Sequence, residues 1–217
     1  MSIDRLRGIV ARLAVAAFLA DLPAVHAQTV QEDMVVAVAN DRTAEVKRLL
    51  AAGGSPDMLD RNGDPLLVVA VRAGSVASLD LLLAARANAN ARTKFGDTPL
   101  MIAALGGRLE LVKKLRASGA EVKQPGWNAL IYAATGGHDE IVRYLLAEGA
   151  DVDAQSPNGT TALMMAAREG KPSTVDLLIA RGADVNHRNQ AGASVLDWAR
   201  RANEKAMIER LQRAGAR

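Results

Sequence analysis

Residues 96–107 read GDTPLMIAALGG, and the framework of this stretch returns further along the chain. Residues 126–137 read GWNALIYAATGG, and residues 159–170 read GTTALMMAAREG. Each copy keeps its first glycine and the leucine and alanine behind it, whereas the residues between them change. A framework that recurs at an interval of roughly 20–50 residues is typical of a stacked repeat architecture.

Further copies lie at the same interval on both sides. The chain starts new copies at Gly63 and Gly192, and a degenerate copy starts at Val30. Every step is 33 residues except the step from Gly96 to Gly126, which is 30. The sequence therefore predicts six repeats, at approximately 31–60, 61–93, 94–123, 124–156, 157–189 and 190–217.

Positions that were not used to find the copies confirm this alignment. The residue seven places after each start is always alanine: Ala37, Ala70, Ala103, Ala133, Ala166 and Ala199. The residue nineteen places after is always leucine: Leu49, Leu82, Leu115, Leu145, Leu178 and Leu211. The sixteenth place is always branched and apolar: Val46, Leu79, Val112, Val142, Val175 and Ile208. An alanine-rich helical bundle without repeats would not produce these columns.

Each copy is predicted to form two short helices joined by a turn. In the fourth copy Asn128 caps the first helix, because its side chain can accept from free backbone N–H groups. Gly137 ends that helix, since glycine tolerates a positive φ. The second helix has apolar residues on one face, and Gly149 ends it. A turn-rich excursion then leads to the next copy.

The first helices of the second and third copies start on proline motifs. Thr98 followed by Pro99 is a cap with proline at the first helical position, where its missing N–H is harmless. In the second copy the proline comes one place early, so we expect Asp64 to be the cap and the helix to start one residue sooner.

These copies resemble ankyrin repeats in three motifs. The matching stretches are GDTPLMIAA at 96–104, GGHDEIVRYLLAEGADVDA at 136–154 and RGADVNHRN at 181–189. The resemblance implies an all-α solenoid of about six helix-turn-helix repeats with short β-hairpin-like connecting loops. It also implies a non-enzymatic protein-binding module. The chain departs from the family in lacking the first-helix histidine, in Arg86 replacing a second-helix glycine, and in three residues missing before Gly126.

The first 27 residues are typical of an export signal. Arg5, Arg7 and Arg12 precede the apolar run 13–20, and a small-residue cleavage motif ends at Ala27. We predict a signal peptide over 1–27, a mature ankyrin repeat domain over 28–217, and a periplasmic or secreted bacterial protein. The apolar run is too short to span a bilayer, and we expect no membrane span in the mature chain. The alternatives are an uncleaved anchor or an extra cap helix.

The residue inventory gives little basis for catalysis or metal binding. The chain has no cysteine, which excludes thiol catalysis and thiolate metal sites. His26 leaves with the leader, while His138 and His187 are far apart in sequence and fit structural roles. The net charge is +3, with acidic and basic residues interleaved, so nucleic-acid binding is not expected. We expect no enzyme activity, no metal, no cofactor and a monomeric chain.

The resemblance places partner binding on the loop tips and on the exposed edge of the first helices. Phe95 and Trp127 flank the starts of the third and fourth copies, and exposed aromatic residues often anchor protein interfaces. For Trp127 the alternative is packing on Pro125. The edge and tip positions complete the candidate site with Arg72, Thr135, Arg168, Glu169, Arg201, Arg61, Lys94, Gln124 and Asn158.

Three arginines on the exposed edge indicate an acidic protein partner, although a solvated basic face is the alternative. The leading hypothesis is a periplasmic accessory or regulatory protein that binds another exported protein through loop tips and concave face. The alternative is a secreted effector or immunity-type factor that binds a host or rival protein.

Overall fold

The computed structural model describes residues 30–202 and 204–217. Residues 30–39 form a first helix, α1. Eleven further helices follow: α2 (Thr43–Ala51), α3 (Leu66–Ala73), α4 (Val76–Ala84), α5 (Pro99–Leu105), α6 (Leu109–Ala117), α7 (Ala129–Gly136), α8 (Asp139–Ala147), α9 (Ala162–Arg168), α10 (Pro172–Ala180), α11 (Val195–Arg201) and α12 (Lys205–Arg213). The predicted signal peptide lies outside the described residues.

Within residues 30–202 and 204–217, the helices follow one another as six helix-turn-helix pairs that stack in chain order. The odd-numbered inner helices contact one another from α3 to α11, and the outer helices do so from α2 to α10. Extended pairing within the described residues is limited to two isolated β-bridges, Leu59 with Pro65 and Arg188 with Ser194. The predicted all-helical solenoid with hairpin-like loops is therefore confirmed.

The invariant columns form the core. All six column alanines are at most 1% exposed, so neighbouring inner helices approach closely. All six column leucines are at most 3% exposed. The branched column is fully buried in the first five repeats, and Ile208 in the last repeat is only partly buried. Each repeat thus completes its core with its neighbours, as the stacking of such units requires.

The inner helices begin at the same place in repeats two to six. Four of these helices are capped by a side-chain oxygen that accepts a hydrogen bond from the backbone N–H three residues later. The capping residues are Thr98, Asn128, Thr161 and Ser194. The expectation for Asp64 was wrong: α3 starts at Leu66, and Pro65 is its cap residue with extended backbone. Asp64 is buried, and its carboxylate accepts from Arg72 on the inner helix.

Side-chain acceptors link successive excursions. The Asp57 side chain accepts from the Asn88 backbone N–H at 2.7 Å, and the Asn90 side chain accepts from the Glu121 backbone N–H at 2.8 Å. The same bond occurs in the last repeats, where Asp153 accepts from the Asp184 backbone N–H and Asn186 accepts from the Arg217 backbone N–H. The equivalent place in the third repeat holds Lys123, whose ammonium group can donate hydrogen bonds but cannot accept one. The shortened excursion before Gly126 therefore differs from the others in bonding as well as in length.

The departure at Arg86 leaves a non-glycine residue in left-handed backbone. The five glycines at the same place, Gly53, Gly119, Gly149, Gly182 and Gly215, have φ between +88° and +92°, and Arg86 has φ +62°. A side chain in this region costs about 1–2 kcal/mol, part of which is offset because glycine gains more freedom on unfolding. Arg86 is exposed, so its side chain contributes little burial.

We predict that Arg86→Gly raises the free energy of unfolding by about 0.5–1 kcal/mol. The measurement is a urea melt of the purified chain. Gly119→Arg is the matched control, since a Cβ at Gly119 would meet no atom within 4 Å and only the backbone is strained. It should destabilise the chain by a similar amount, and a neutral result for both variants would contradict the backbone explanation.

Candidate functional site

The exposed edges of the inner helices form the concave face of the stack. The ninth place of each repeat lies at the end of an inner helix, so this column runs across the face from one repeat to the next. From the second to the sixth repeat it holds Arg72, Leu105, Thr135, Arg168 and Arg201. The middle of the column is therefore uncharged, and guanidinium groups flank it on both sides.

A groove with a volume of about 200 Å³ lies at the uncharged centre, and we call it the central groove. It draws on three consecutive repeats and is lined by Leu105, Trp127, Tyr132, Thr135 and Met165. Leu105 is 42% exposed and Trp127 is 39% exposed, which is unusual for side chains of this size in a stack whose other large apolar residues are mostly buried. The Trp127 and Tyr132 rings meet edge to face with centroids 6.2 Å apart.

Hydrogen bonds within the protein engage both hydroxyl protons at the central groove. The Tyr132 hydroxyl donates to the Asp97 carboxylate, and the Thr135 hydroxyl donates to the Ile131 carbonyl at 2.7 Å. Burial, supported by the bond to Asp97, raises the pKa of Tyr132, so the hydroxyl stays protonated and remains a donor. The groove therefore presents mainly apolar surface to a ligand.

The arginines beside the groove are held in place by partners of their own. Arg72 pairs with Asp64, and its side chain is still 48% exposed. Arg168 pairs with Glu169 at 2.7 Å, and its guanidinium lies 5.3 Å from the centroid of the Trp198 ring. Arg168, Glu169, Trp198 and Arg201 line a second concavity, of about 480 Å³. These contacts order the arginines while leaving donor groups accessible.

The loop tips carry the remaining candidates. Phe95 is 77% exposed, with the Lys94 ammonium 5.2 Å from its ring centroid. Arg61 is exposed and pairs with Glu32 at 2.7 Å. Asn158 is exposed, and its side chain accepts from the Ser156 hydroxyl at 2.5 Å.

The expectation that Gln124 extends a tip was wrong. Gln124 is only 7% exposed, and its side-chain oxygen accepts from Arg92 at 3.1 Å. The three missing residues shorten this excursion, so Gln124 lies close to the stack rather than on an extended tip. Gly126 lies beside Pro157 of the next excursion, and a Cβ at Gly126 would lie 3.5 Å from the Pro157 ring.

The two histidines of the described chain bind backbone carbonyls between repeats. His138 Nε2 lies 2.8 Å from the Leu105 oxygen, and His187 Nε2 lies 2.9 Å from the Gly159 oxygen. No group of three or more acidic or histidine side chains suited to a metal occurs within 30–202 and 204–217. Over the same ranges, no helix has the length and apolar character needed to cross a membrane.

Three residues of the central groove were not among the sequence candidates. Leu105 lies in the same column as Arg72 and Arg168 and could have been found from that column. Tyr132 and Met165 occupy the sixth place, where the sequence indicates only packing within the first helix. Their contribution depends on how three repeats meet, which no single copy reveals.

A larger groove, of about 600 Å³, lies at the first repeat between α1 and the excursion around Leu59.

Comparisons with known proteins agree with the fold. A family model described as ankyrin repeats (3 copies) matches residues 34–125, 118–189 and 148–216. An ankyrin repeat domain from Acinetobacter baumannii AYE is 32% identical, with 85% of this chain and 98% of that chain covered and a TM-score of 0.74. The human ASB11 ankyrin repeat domain is 29% identical, with 85% and 84% covered and a TM-score of 0.76. A search of curated proteins finds no match.

Proposed function

The chain belongs to the ankyrin repeat family, and from this premise we propose that it is a periplasmic accessory or regulatory protein that binds another exported protein. Ankyrin repeat domains are generally protein–protein interaction modules, and they typically have no enzymatic activity of their own. Solenoids of this kind bind partners on their extended concave surfaces.

The observation that carries the proposal is the exposed aromatic and aliphatic surface at the centre of the concave face. Leu105 and Trp127 remain about two-fifths exposed although buried neighbours surround them. Trp, Tyr and Arg are the side chains that most often dominate binding energy at protein interfaces. Trp127 and Tyr132 line the central groove, and Arg168 lies in the next repeat of the ninth-place column. A partner that covered this surface would remove it from water.

The compartment is proposed from the leader. The arginine-rich head, the short apolar run and the motif before Ala27 together are typical of a cleaved export signal. Export would place the concave face among other exported proteins, which supports a periplasmic partner.

We predict that the mature protein starts at Gln28, because cleavage follows the small residue Ala27. Mass spectrometry of the intact protein, purified from cells expressing the full chain, measures this directly. The periplasmic fraction should contain the shorter species. A chain that keeps Met1 or Ser2 at its N-terminus in every fraction would contradict both cleavage and the proposed compartment.

The binding function is tested by retention of exported proteins on the mature chain. Tagged residues 28–217 are mixed with periplasmic extract in about 300 mM salt, where long-range charge interactions are screened. The control is a Leu105→Glu and Thr135→Arg double variant, which places charge in the central groove. We expect at least one exported protein to be retained by the wild type and lost by the variant. Equal retention on both would contradict the concave face as the binding surface.

The fractionation also separates the proposal from the secreted alternative. A periplasmic regulator should remain within the cell envelope, whereas an effector or immunity-type factor should accumulate in the culture medium. Recovery of the mature chain mainly from the medium would favour that alternative.

A further inference from the structure

We propose that the partner offers an extended acidic segment in which one large apolar side chain fills the central groove and nearby carboxylates pair with Arg168 and Arg72. This inference rests on the proposed protein-binding function and adds the chemistry of the bound segment. It follows from the size of the groove, its polarity, the flanking charges and the spacing of the inner helices.

The size of the central groove fits one side chain. Its volume is about 200 Å³. Sites for drug-sized molecules usually measure about 300–1,000 Å³, so this groove is below that range. A single leucine, methionine or phenylalanine side chain is the occupant of matching size, and it would contact Leu105 on one side and Met165 on the other.

The low polarity of the groove favours an apolar occupant. Tyr132 donates its hydroxyl to Asp97, and Thr135 donates its hydroxyl to Ile131. These groups therefore have partners before any ligand arrives. Few polar groups remain in the groove to serve a polar side chain, so such a side chain would lose more hydrogen bonds to water than it regains, which is unfavourable. An apolar side chain loses nothing of this kind and buries Trp127.

The charges beside the groove favour carboxylates on the flanks of that apolar side chain. Arg168 follows Thr135 in the ninth-place column, and Arg72 precedes Leu105. Each arginine already has an acidic partner, but a guanidinium carries five N–H donors and can serve a second carboxylate. Glu169 is the exposed acid on this rim, and its carboxylate is engaged by Arg168.

The spacing of the helices fixes the spacing of the segment. Packed helices lie about 8–10 Å apart, and an extended chain advances about 3.3–3.6 Å per residue. One step along the column therefore corresponds to about three residues of an extended segment. With the apolar side chain over α7, the carboxylate for Arg168 lies about three residues away. The carboxylate for Arg72 lies about five or six residues away on the other side.

A helical segment would give a different spacing. A helix advances about 1.5 Å per residue, so the same step corresponds to about six residues. The central groove is one side chain wide, whereas a helix presents a stripe of apolar residues to its partner. We therefore commit to the extended segment and treat helical spacing as an outcome against it.

The test is selection from a phage-displayed library of random peptides of about 16 residues. This length spans the column from Arg72 to Arg201 in extended form. The bait is the mature chain. Enriched peptides are then measured on Thr135→Arg, which fills the groove with a charged side chain, and on Arg168→Glu. Arg143→Glu is the matched control, because Arg143 is exposed on the outer helix α8, away from the concave face. Circular dichroism verifies that each variant is folded.

We expect enriched peptides to carry one large apolar residue with an acidic residue about three positions away. Their affinity should fall about tenfold or more on Thr135→Arg and on Arg168→Glu, and should be unchanged on Arg143→Glu. The inference is overturned by peptides without acidic residues, by peptides that lack an acidic residue about three positions from the apolar one, by affinity that is unchanged on the groove variants, or by no enrichment at all. If the library fails while the mature chain still retains an exported protein from periplasmic extract, binding stands and only the extended acidic segment is rejected.

Discussion

Replacing Leu145 by alanine should lower the free energy of unfolding by about 2–5 kcal/mol, the largest stability loss we expect from one substitution. Leu145 belongs to the invariant leucine column and is 0% exposed on α8. Truncation removes buried apolar atoms and leaves a cavity that the surrounding structure closes only in part. Ile141 and Val142 lie on the same buried face, so the cavity would be enclosed on the α8 side as well.

The control for this prediction lies one residue along the same helix. Leu146→Ala makes the same chemical change at a partly buried position, so its loss should be clearly smaller. Urea melts followed by circular dichroism measure both variants against the wild type. Equal losses at Leu145 and Leu146 would mean that burial in the column does not determine stability.

The damage should extend beyond the fourth repeat. Each repeat of a solenoid contacts only its neighbours, so stability is the sum of repeat and interface contributions. α8 contacts both α6 and α10, and a weakened fourth repeat therefore loosens the interfaces on both sides. We expect the Leu145→Ala melt to broaden as well as to shift.

The repeat fold could be predicted from the sequence because its core is periodic. The alanine and leucine columns recur in every copy, and periodic burial is the pattern that sequence reports most directly. The capping residues Thr98 and Asn128 could also be predicted, since a cap depends only on residues within one turn.

Local departures from the repeat were harder to predict. Asp64 looked like the cap of α3, but Arg72, which lies eight residues later on α3, donates to its carboxylate. Gln124 looked like a tip residue, but the shortened excursion buries it against Arg92. Both errors come from contacts that the repeat pattern does not contain.

The candidate site could be predicted only in part. The ninth-place arginines were visible as a column, because each repeat shows its own edge. The central groove needs Leu105 from the third repeat, Trp127 and Tyr132 from the fourth, and Met165 from the fifth. No single copy has a groove, so only the packed structure shows that these side chains meet.

Replacing Trp127 by alanine should weaken partner binding by about 2 kcal/mol or more, which is roughly thirtyfold in affinity. Trp127 forms part of the groove wall, and its exposed surface is available to a partner's apolar side chain. The same change should lower the free energy of unfolding by only about 1 kcal/mol. That loss reflects the edge-to-face contact with Tyr132, since an aromatic pair contributes about 0.5–1.5 kcal/mol.

Tyr144→Ala is the matched control, because Tyr144 is a partly buried aromatic residue on the outer helix α8, away from the concave face. It should destabilise the chain and leave affinity unchanged once the protein is folded. Urea melts and titrations with the retained exported protein, or with the best selected peptide, separate the two effects. If Trp127→Ala melts early and binds with normal affinity, Trp127 is a packing residue and not the anchor of the interface. Loss of affinity with near-normal stability would instead make Trp127 the anchor of the interface, because solvent-exposed aromatic surface then serves binding rather than folding.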